Sequence, residues 1–231
     1  MSKNKPAGKE RLAEHGGQRY SLLDPAVTPT DIENRSFEII DSEYPQKPFS
    51  GHAWEIARRL VHTSGDLSLP ASLHLPDDAI AAGVTAIRSG APVFTDTEMA
   101  RAGIPVRRLT PFSCAVICIL ATEGTAKSAA AKGITRSRAG IELLGERLHG
   151  AIVAIGNAPT ALIALIDQVR TNGIRPALVI GMPVGFVNAA ESKEMLLQED
   201  INALVLRGRR GGSPLAAATV NALAIIAAGE R

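Results

Sequence analysis

Five times along this chain a short apolar run, without polar alternation, breaks into a loop rich in Gly, Asn, Ser, Thr or Pro and then into a helical pattern. Residues 92–96 lead to 97–102, and 115–120 lead through Thr122-Glu123-Gly124 to 125–132. Residues 151–155 lead through Gly156-Asn157-Ala158-Pro159 to 160–170. Residues 177–180 lead through a Gly/Pro loop to 191–197, and 203–206 lead through 207–212 to 213–228. Apolar runs that do not alternate suit strands buried on both faces, hence a parallel sheet covered by helices. The pattern predicts an α/β chain: a three-layer α/β/α sandwich with a mainly parallel five-stranded sheet and right-handed crossovers. Ligands of such sheets bind beyond the carboxyl ends of the strands, and the Gly-rich loops all fall at that edge.

Upstream, residues 54–61 have helical spacing and end in His62-Thr63-Ser64-Gly65-Asp66. A second helix is predicted over 76–89, with Pro76 in its first turn and Gly90 after its end. Residues 1–18 read as a flexible tail and 19–231 as one α/β domain, with ordered chain beginning near Tyr20.

Charge narrows the function classes. Five Lys or Arg against Glu10 and Glu14 give residues 1–19 a charge of +3, whereas the remaining 212 residues carry 20 basic and 21 acidic side chains. The part predicted to fold is near neutral and lacks the electrostatic footprint of a nucleic-acid binder. With 3% aromatic residues it also lacks stacking platforms for single strands. The two cysteines, Cys114 and Cys118, share one apolar run, which excludes a disulfide scaffold and fits a reducing cytoplasm. No apolar run reaches the ~18–20 residues of a membrane span, and the Lys/Gly/Glu-rich start has no signal-peptide core. Paired Cys or His at metal-ligand spacing is absent, so no metal is expected.

Several loops can carry chemistry. Gly156-Asn157-Ala158-Pro159-Thr160 opens a helix whose free N–H groups and dipole would attract a carboxylate or phosphate; equally, Asn157 or Thr160 could simply cap it. Gly181 and Gly185 let the backbone approach a ligand or permit a tight turn. Lys193, near the start of the next helix, can pair with an anion, though by default it is a solvated surface Lys. Gly208-Arg209-Arg210-Gly211-Gly212-Ser213 lacks both the P-loop ending and the Gly-x-Gly-x-x-Gly fingerprint, and reads better as an anion-binding nest. In Thr135-Arg136-Ser137, Ser137 is the expected N-cap, and Arg136 can clamp a carboxylate. His62 differs from His15, His52, His74 and His149 in lying at a helix end beside Thr63, Ser64 and Asp66, where it could act as an acid/base or merely cap.

Taken in order, these segments resemble one family. They are Ser36-Phe37-x-Ile39-Ile40, Arg59-Leu60-Val61-His62, Gly90-Ala91-Pro92-Val93, Gly133-Ile134-Thr135-Arg136-Ser137, Ala154-Ile155-Gly156-Asn157-Ala158-Pro159-Thr160-Ala161-Leu162, Gly181-Met182-Pro183-Val184-Gly185-Phe186-Val187, Glu191-Ser192-Lys193-Glu194 and Gly208-Arg209-x-Gly211-Gly212-Ser213. Together they resemble the precorrin-8X and cobalt-precorrin-8 methylmutases of cobalamin biosynthesis, from about Tyr20 to Leu223. The resemblance implies a flavodoxin-like fold, a homodimer with its site near the interface, and no redox or metal cofactor. It implies an isomerase that moves a methyl group from carbon 11 to carbon 12 of the corrin precursor. His62, in the Arg-x-x-His motif, would pass a proton to and from the macrocycle. Substrate contacts would fall to Tyr20, Ser64, Thr95, Thr135, Arg136, Ser137, Gly156, Asn157, Thr160, Ala161, Gly185, Phe186, Ser192, Lys193, Arg209, Gly211 and Gly212. The segment 120–124 lacks the Asp-Pro common in relatives, so a local loop difference is expected there. A non-catalytic tetrapyrrole carrier using the same loops is the alternative reading; a flavodoxin-type nucleotide binder ranks behind both.

Overall fold

The computed structural model describes residues 28–229 and, before them, the backbone of 11–15 and 18–22. Strands β1 (Arg11–His15) and β2 (Gln18–Leu22) pair antiparallel, Arg11 opposite Leu22 and His15 opposite Gln18. The first of these strands falls in the segment, up to residue 18, that is expected to be a flexible tail. Gly16-Gly17 between the strands is a hairpin signal in the sequence. Tyr20 falls in β2, and its side chain lies outside the described residues, as do residues 1–10.

Two helices precede the sheet: α1 (Pro29–Glu43) and α2 (Gly51–Ser64). A capping box starts α1: the Asp31 amide donates to Thr28 Oγ1, and the Thr28 amide donates to the Asp31 carboxylate. The main sheet and its helices follow as β3 (Leu73–His74), α3 (Asp77–Arg88), β4 (Val93–Thr95), α4 (Glu98–Ala102), α5 (Val106–Leu109), β5 (Val116–Cys118), α6 (Thr125–Lys132), α7 (Arg136–Leu144), β6 (Ile152–Ile155), α8 (Pro159–Asn172), β7 (Leu178–Gly181), α9 (Ala189–Leu196), β8 (Ala203–Leu206) and α10 (Ser213–Ala228).

The sheet has six strands in the order β3-β8-β7-β6-β4-β5. Five are parallel, as expected; the sixth, β3, is antiparallel to β8, Leu73 opposite Leu206. Two residues are too few to leave a periodic signal in sequence, which is why β3 is not foreseen. Counted along the chain, the five parallel strands lie in the flavodoxin order 2-1-3-4-5, reversing direction between β4 and β6.

Alternate residues of each strand enter separate cores. Ile152, Ala154, Leu178, Ile180, Leu204 and Leu206 join the core built with α2, α3 and α10. Val153, Ile155, Val179, Ala203 and Val205 join the one built with α7, α8 and α9. Both faces are apolar, so the runs show no alternation. The layers lie close because their side chains are thin. On α3, a Cβ at Gly83 would stand 2.6 Å from Leu178 Cδ2, and α10 buries six alanines.

Candidate active site

The reversal between β4 and β6 is where a sheet of this order opens a crevice for a ligand. Here the chain fills it. Asp96, directly after β4, is 1% exposed, and its carboxylate accepts hydrogen bonds from three successive amides. Gly156 N–H reaches Oδ1 at 3.0 Å, and Asn157 and Ala158 N–H reach Oδ2 at 2.7 Å each. These are the amides expected to be free for an external anion. Neither Asn157 nor Thr160 caps α8; its N-cap position is Ala158, and the acceptor comes from a neighbouring strand. Burial pushes the Asp96 carboxyl above the usual range, against the pull of the three amides.

Backbone closes the other side. A Cβ on Gly156 would lie 2.7 Å from Ser213 Cα and 2.9 Å from the Gly212 carbonyl carbon. Ser213 Oγ is 2.8 Å from Thr97 Oγ1, and Thr95 Oγ1 donates to the Thr97 carbonyl. Thr95, Gly156, Ala161 and Gly212 are all buried in this packing.

The β8–α10 connection is held from two directions. Lys193 is 0% exposed, and its ammonium donates to the Gly208 carbonyl at 2.8 Å and the Arg210 carbonyl at 2.7 Å. It is neither a solvated lysine nor a free anion clamp, because both hydrogen bonds anchor the loop from beneath. Burial lowers its pKa to about 8. Its neighbour Ser192 is also buried, its hydroxyl donating to the Ala189 carbonyl. From above, the Arg210 guanidinium donates to Asp66 Oδ2 (2.5 Å), Ser68 Oγ and Ser72 Oγ. Hydrogen bonds from Ser68, then from Arg210, hold the Asp66 carboxyl below the usual range. Gly211 fits against the preceding loop so closely that a Cβ would lie 2.1 Å from the Met182 carbonyl oxygen.

Arg210 thereby ties this edge to the segment that follows α2. His62 stands in the last turn of α2, exposed, with its ring edge-on to Phe37 at 5.5 Å between centroids. The helix extends to Ser64, so His62 is carried on helix backbone rather than on the loop after it. The Ser64 hydroxyl donates back to the Leu60 carbonyl. A cleft of about 580 Å³ runs beside α2, lined by Phe37, Arg58, Arg59 and Arg108 among others.

Around the filled crevice, several of the expected groups are accessible. Thr135 is the N-cap of α7, receiving the Arg138 amide, so Ser137 does not cap. The Thr135 hydroxyl meets that of Thr160 at 2.8 Å, joining the starts of α7 and α8. Asn157, Arg136 and Arg209 are exposed, and among the described residues neither arginine is in a salt bridge. The Arg209 guanidinium lies 5.5 Å from the Phe186 ring, and Phe186 is 83% exposed. Gly185 (φ 145°) donates its amide to the Arg209 carbonyl, linking the two loops. The edge thus brings cations, hydroxyls, an amide and an aromatic face together, and His62 presents an exposed imidazole at the end of α2.

Sequence reasoning overlooks Asp96 and undervalues Arg210. A polar residue ending an apolar strand is a signal for the first, but nothing local pairs residue 96 with 156–158. In 120–124 the chain makes a 3₁₀ turn (Ile119–Ala121), with Gly124 at positive φ before α6. Cys114 and Cys118 are buried, which pushes both thiols up. No described helix is long and apolar enough to cross a membrane.

Comparison with known proteins follows the same residues. The family model described as precorrin-8X methylmutase matches residues 31–226. The chain is 42% identical over 195 residues to the precorrin-8X methylmutase of a Sinorhizobium species, covering 84% of this chain and 92% of that protein. It is 36% identical over 211 residues to the cobalt-precorrin-8 methylmutase of Leptospira interrogans, covering 87% and 96%. The crystal structure of the Thermus thermophilus precorrin-8X methylmutase superposes with a TM-score of 0.80 at 38% identity, covering 86% of this chain and 98% of that one. The chain belongs to the precorrin-8X methylmutase family, a family of isomerases.

Proposed function

We propose that this protein converts precorrin-8X to hydrogenobyrinic acid, or cobalt-precorrin-8 to cobyrinic acid, by moving a methyl group from carbon 11 to carbon 12 in cobalamin biosynthesis. The observation that carries the reading is the placing of His62 in its Arg-x-x-His segment. It is an exposed imidazole at the end of α2, and Asp66, four residues on, is bound by Arg210 to the ligand edge of the sheet.

His62 acts as general acid, protonating the conjugated macrocycle so that the migration terminus becomes electron-poor. The methyl group shifts within the ring system, and His62 takes the proton back. The rest of catalysis is positioning. Arg136 and Arg209 meet carboxylate arms of the substrate, Asn157 with the Thr135–Thr160 pair supplies neutral hydrogen bonds, and Phe186 lies against the macrocycle. The enzyme works in the cytoplasm as a homodimer. Ile32 and Ile39, exposed on α1 beside the His62-bearing helix, favour a partner surface there.

The test is turnover under substrate excess, followed by visible absorption. The expected result is many turnovers per protein, with His62→Ala lowering kcat by about 10²- to 10⁴-fold while hydrogenobyrinic acid still binds. Tight product binding without turnover would establish a carrier instead. Wild-type kcat in His62→Ala would remove His62 from the mechanism.

A further inference from the structure

We propose that Asp96 is a positioning residue, a built-in ligand that occupies the anion site of the sheet and thereby sets where Asn157 and Thr160 stand toward substrate. The catalytic part of this inference rests on the methylmutase reading; the anion-site part does not.

Three features converge on one atom group. The position is topological: the end of β4, opposite the end of β6, is the point at which flavodoxin-like sheets take up a ligand's phosphate or pyrophosphate. The donors are chemical: three consecutive amides at the start of the 14-residue helix α8, at the positive end of its dipole, make a site for an oxyanion. The occupant is unusual: a carboxylate 1% exposed, hydrogen-bonded to backbone rather than to a cation. Such a group carries a desolvation cost that a neutral cap would avoid. Ala158, at the N-cap position, has no capping side chain, and the nearby Asn157 is turned to solvent.

The geometry shows what the carboxylate accomplishes. Oδ2 bridges the Asn157 and Ala158 amides while Oδ1 holds Gly156, so the backbone carrying the Asn157 side chain has one position. Thr160 is the second residue of the helix that this backbone begins, and its hydroxyl meets that of Thr135 at the start of α7. The same carboxylate keeps phosphate and substrate carboxylates out of the crevice. Substrate acid groups are therefore left to Arg136, Arg209 and the side chains at the rim.

Replacing Asp96 tests this. In Asp96→Asn the amide NH₂ opposes a backbone N–H. In Asp96→Ala the three amides are vacated for a small carboxylate. Misplaced substrate contacts act on binding more than on the proton transfer, so KM should rise about tenfold or more while kcat stays within about threefold. Formate should lower the KM of Asp96→Ala toward wild type and leave the wild-type and Asp96→Asn enzymes unaffected. Independently of substrate, formate should shift the Asn157 and Ala158 amide resonances of Asp96→Ala saturably, and not those of wild type. An unchanged KM in Asp96→Asn, or a loss of activity that only tracks the folded fraction, overturns the positioning role. Absence of formate binding in a folded Asp96→Ala overturns the anion site. If Asp96→Ala does not fold, Asp96→Asn decides the positioning role by its KM. The anion site then rests on the wild-type Asn157 and Ala158 amides, which must exchange with solvent far more slowly than in Asp96→Asn. If wild type itself shows no turnover, the methylmutase reading fails and the formate arm still decides the anion site.

Discussion

The loops after β6 and β7 are built from similar residues and do opposite things. Gly156-Asn157-Ala158 is locked: its amides are taken by Asp96, and Gly156 packs backbone-to-backbone against Ser213. Between Met182 and Asn188 the second loop is open at its tip, with Phe186 83% and Val187 78% exposed. At its root it is as tight as the first, because Gly211 presses on the Met182 carbonyl. What separates them is a side chain 60 residues away in sequence. The first loop has a buried carboxylate to organise it, whereas the tip of the second exposes apolar side chains. A Gly-rich loop at a strand end therefore becomes a strut or a contact surface according to which neighbour supplies the acceptor.

Three substitutions press on that contrast. The largest effect should come from Gly211→Ala, which must displace the Met182 carbonyl or the 207–212 loop. A loss of about 3 kcal/mol is expected in urea unfolding, and a loss below about 0.5 kcal/mol would mean that the loop roots are not tightly packed. Next is Lys193→Met, which leaves the Gly208 and Arg210 carbonyls without their buried donor, at a cost of about 1–3 kcal/mol. The pH dependence has a definite sign. The folded pKa of Lys193 is lowered to about 8 from an ordinary 10.5. Between those values the unfolded chain holds the proton that the folded one has released, so wild type gains stability as pH rises. Its advantage over Lys193→Met should widen from pH 8 to 10; a shrinking advantage would contradict a desolvated ammonium. The smallest effect on stability should be that of Phe186→Ala, within about 0.5 kcal/mol because the ring is exposed. Its Kd for hydrogenobyrinic acid should nevertheless rise about three- to tenfold. A stability loss without a change in Kd would make the loop tip a strut after all.

Much of the fold is legible in sequence because both faces of each strand are buried. Ile152-Val153-Ala154-Ile155 has no polar residue to spare for either core, and a continuous apolar run is what such a strand must look like. The site is legible only in part. His62 stands out by its neighbours and its motif, but Lys193 looks like any surface lysine until the loop carbonyls it holds are seen. Arg209 and Arg210 are equivalent as sequence; only the fold turns Arg210 to Asp66 and leaves Arg209 against Phe186.

The sequence by itself determined the parallel sheet, the edge at which the loops gather and the family to which their order belongs. All of these follow from local periodicity and from the order of short segments. Tertiary structure decided which loop donors are free. Whether an amide, an ammonium or a guanidinium is available depends on partners far along the chain. Asp96 on 156–158, Lys193 on 208 and 210, and Asp66 on Arg210 are brought together by sheet order and crossover packing, which no local pattern encodes.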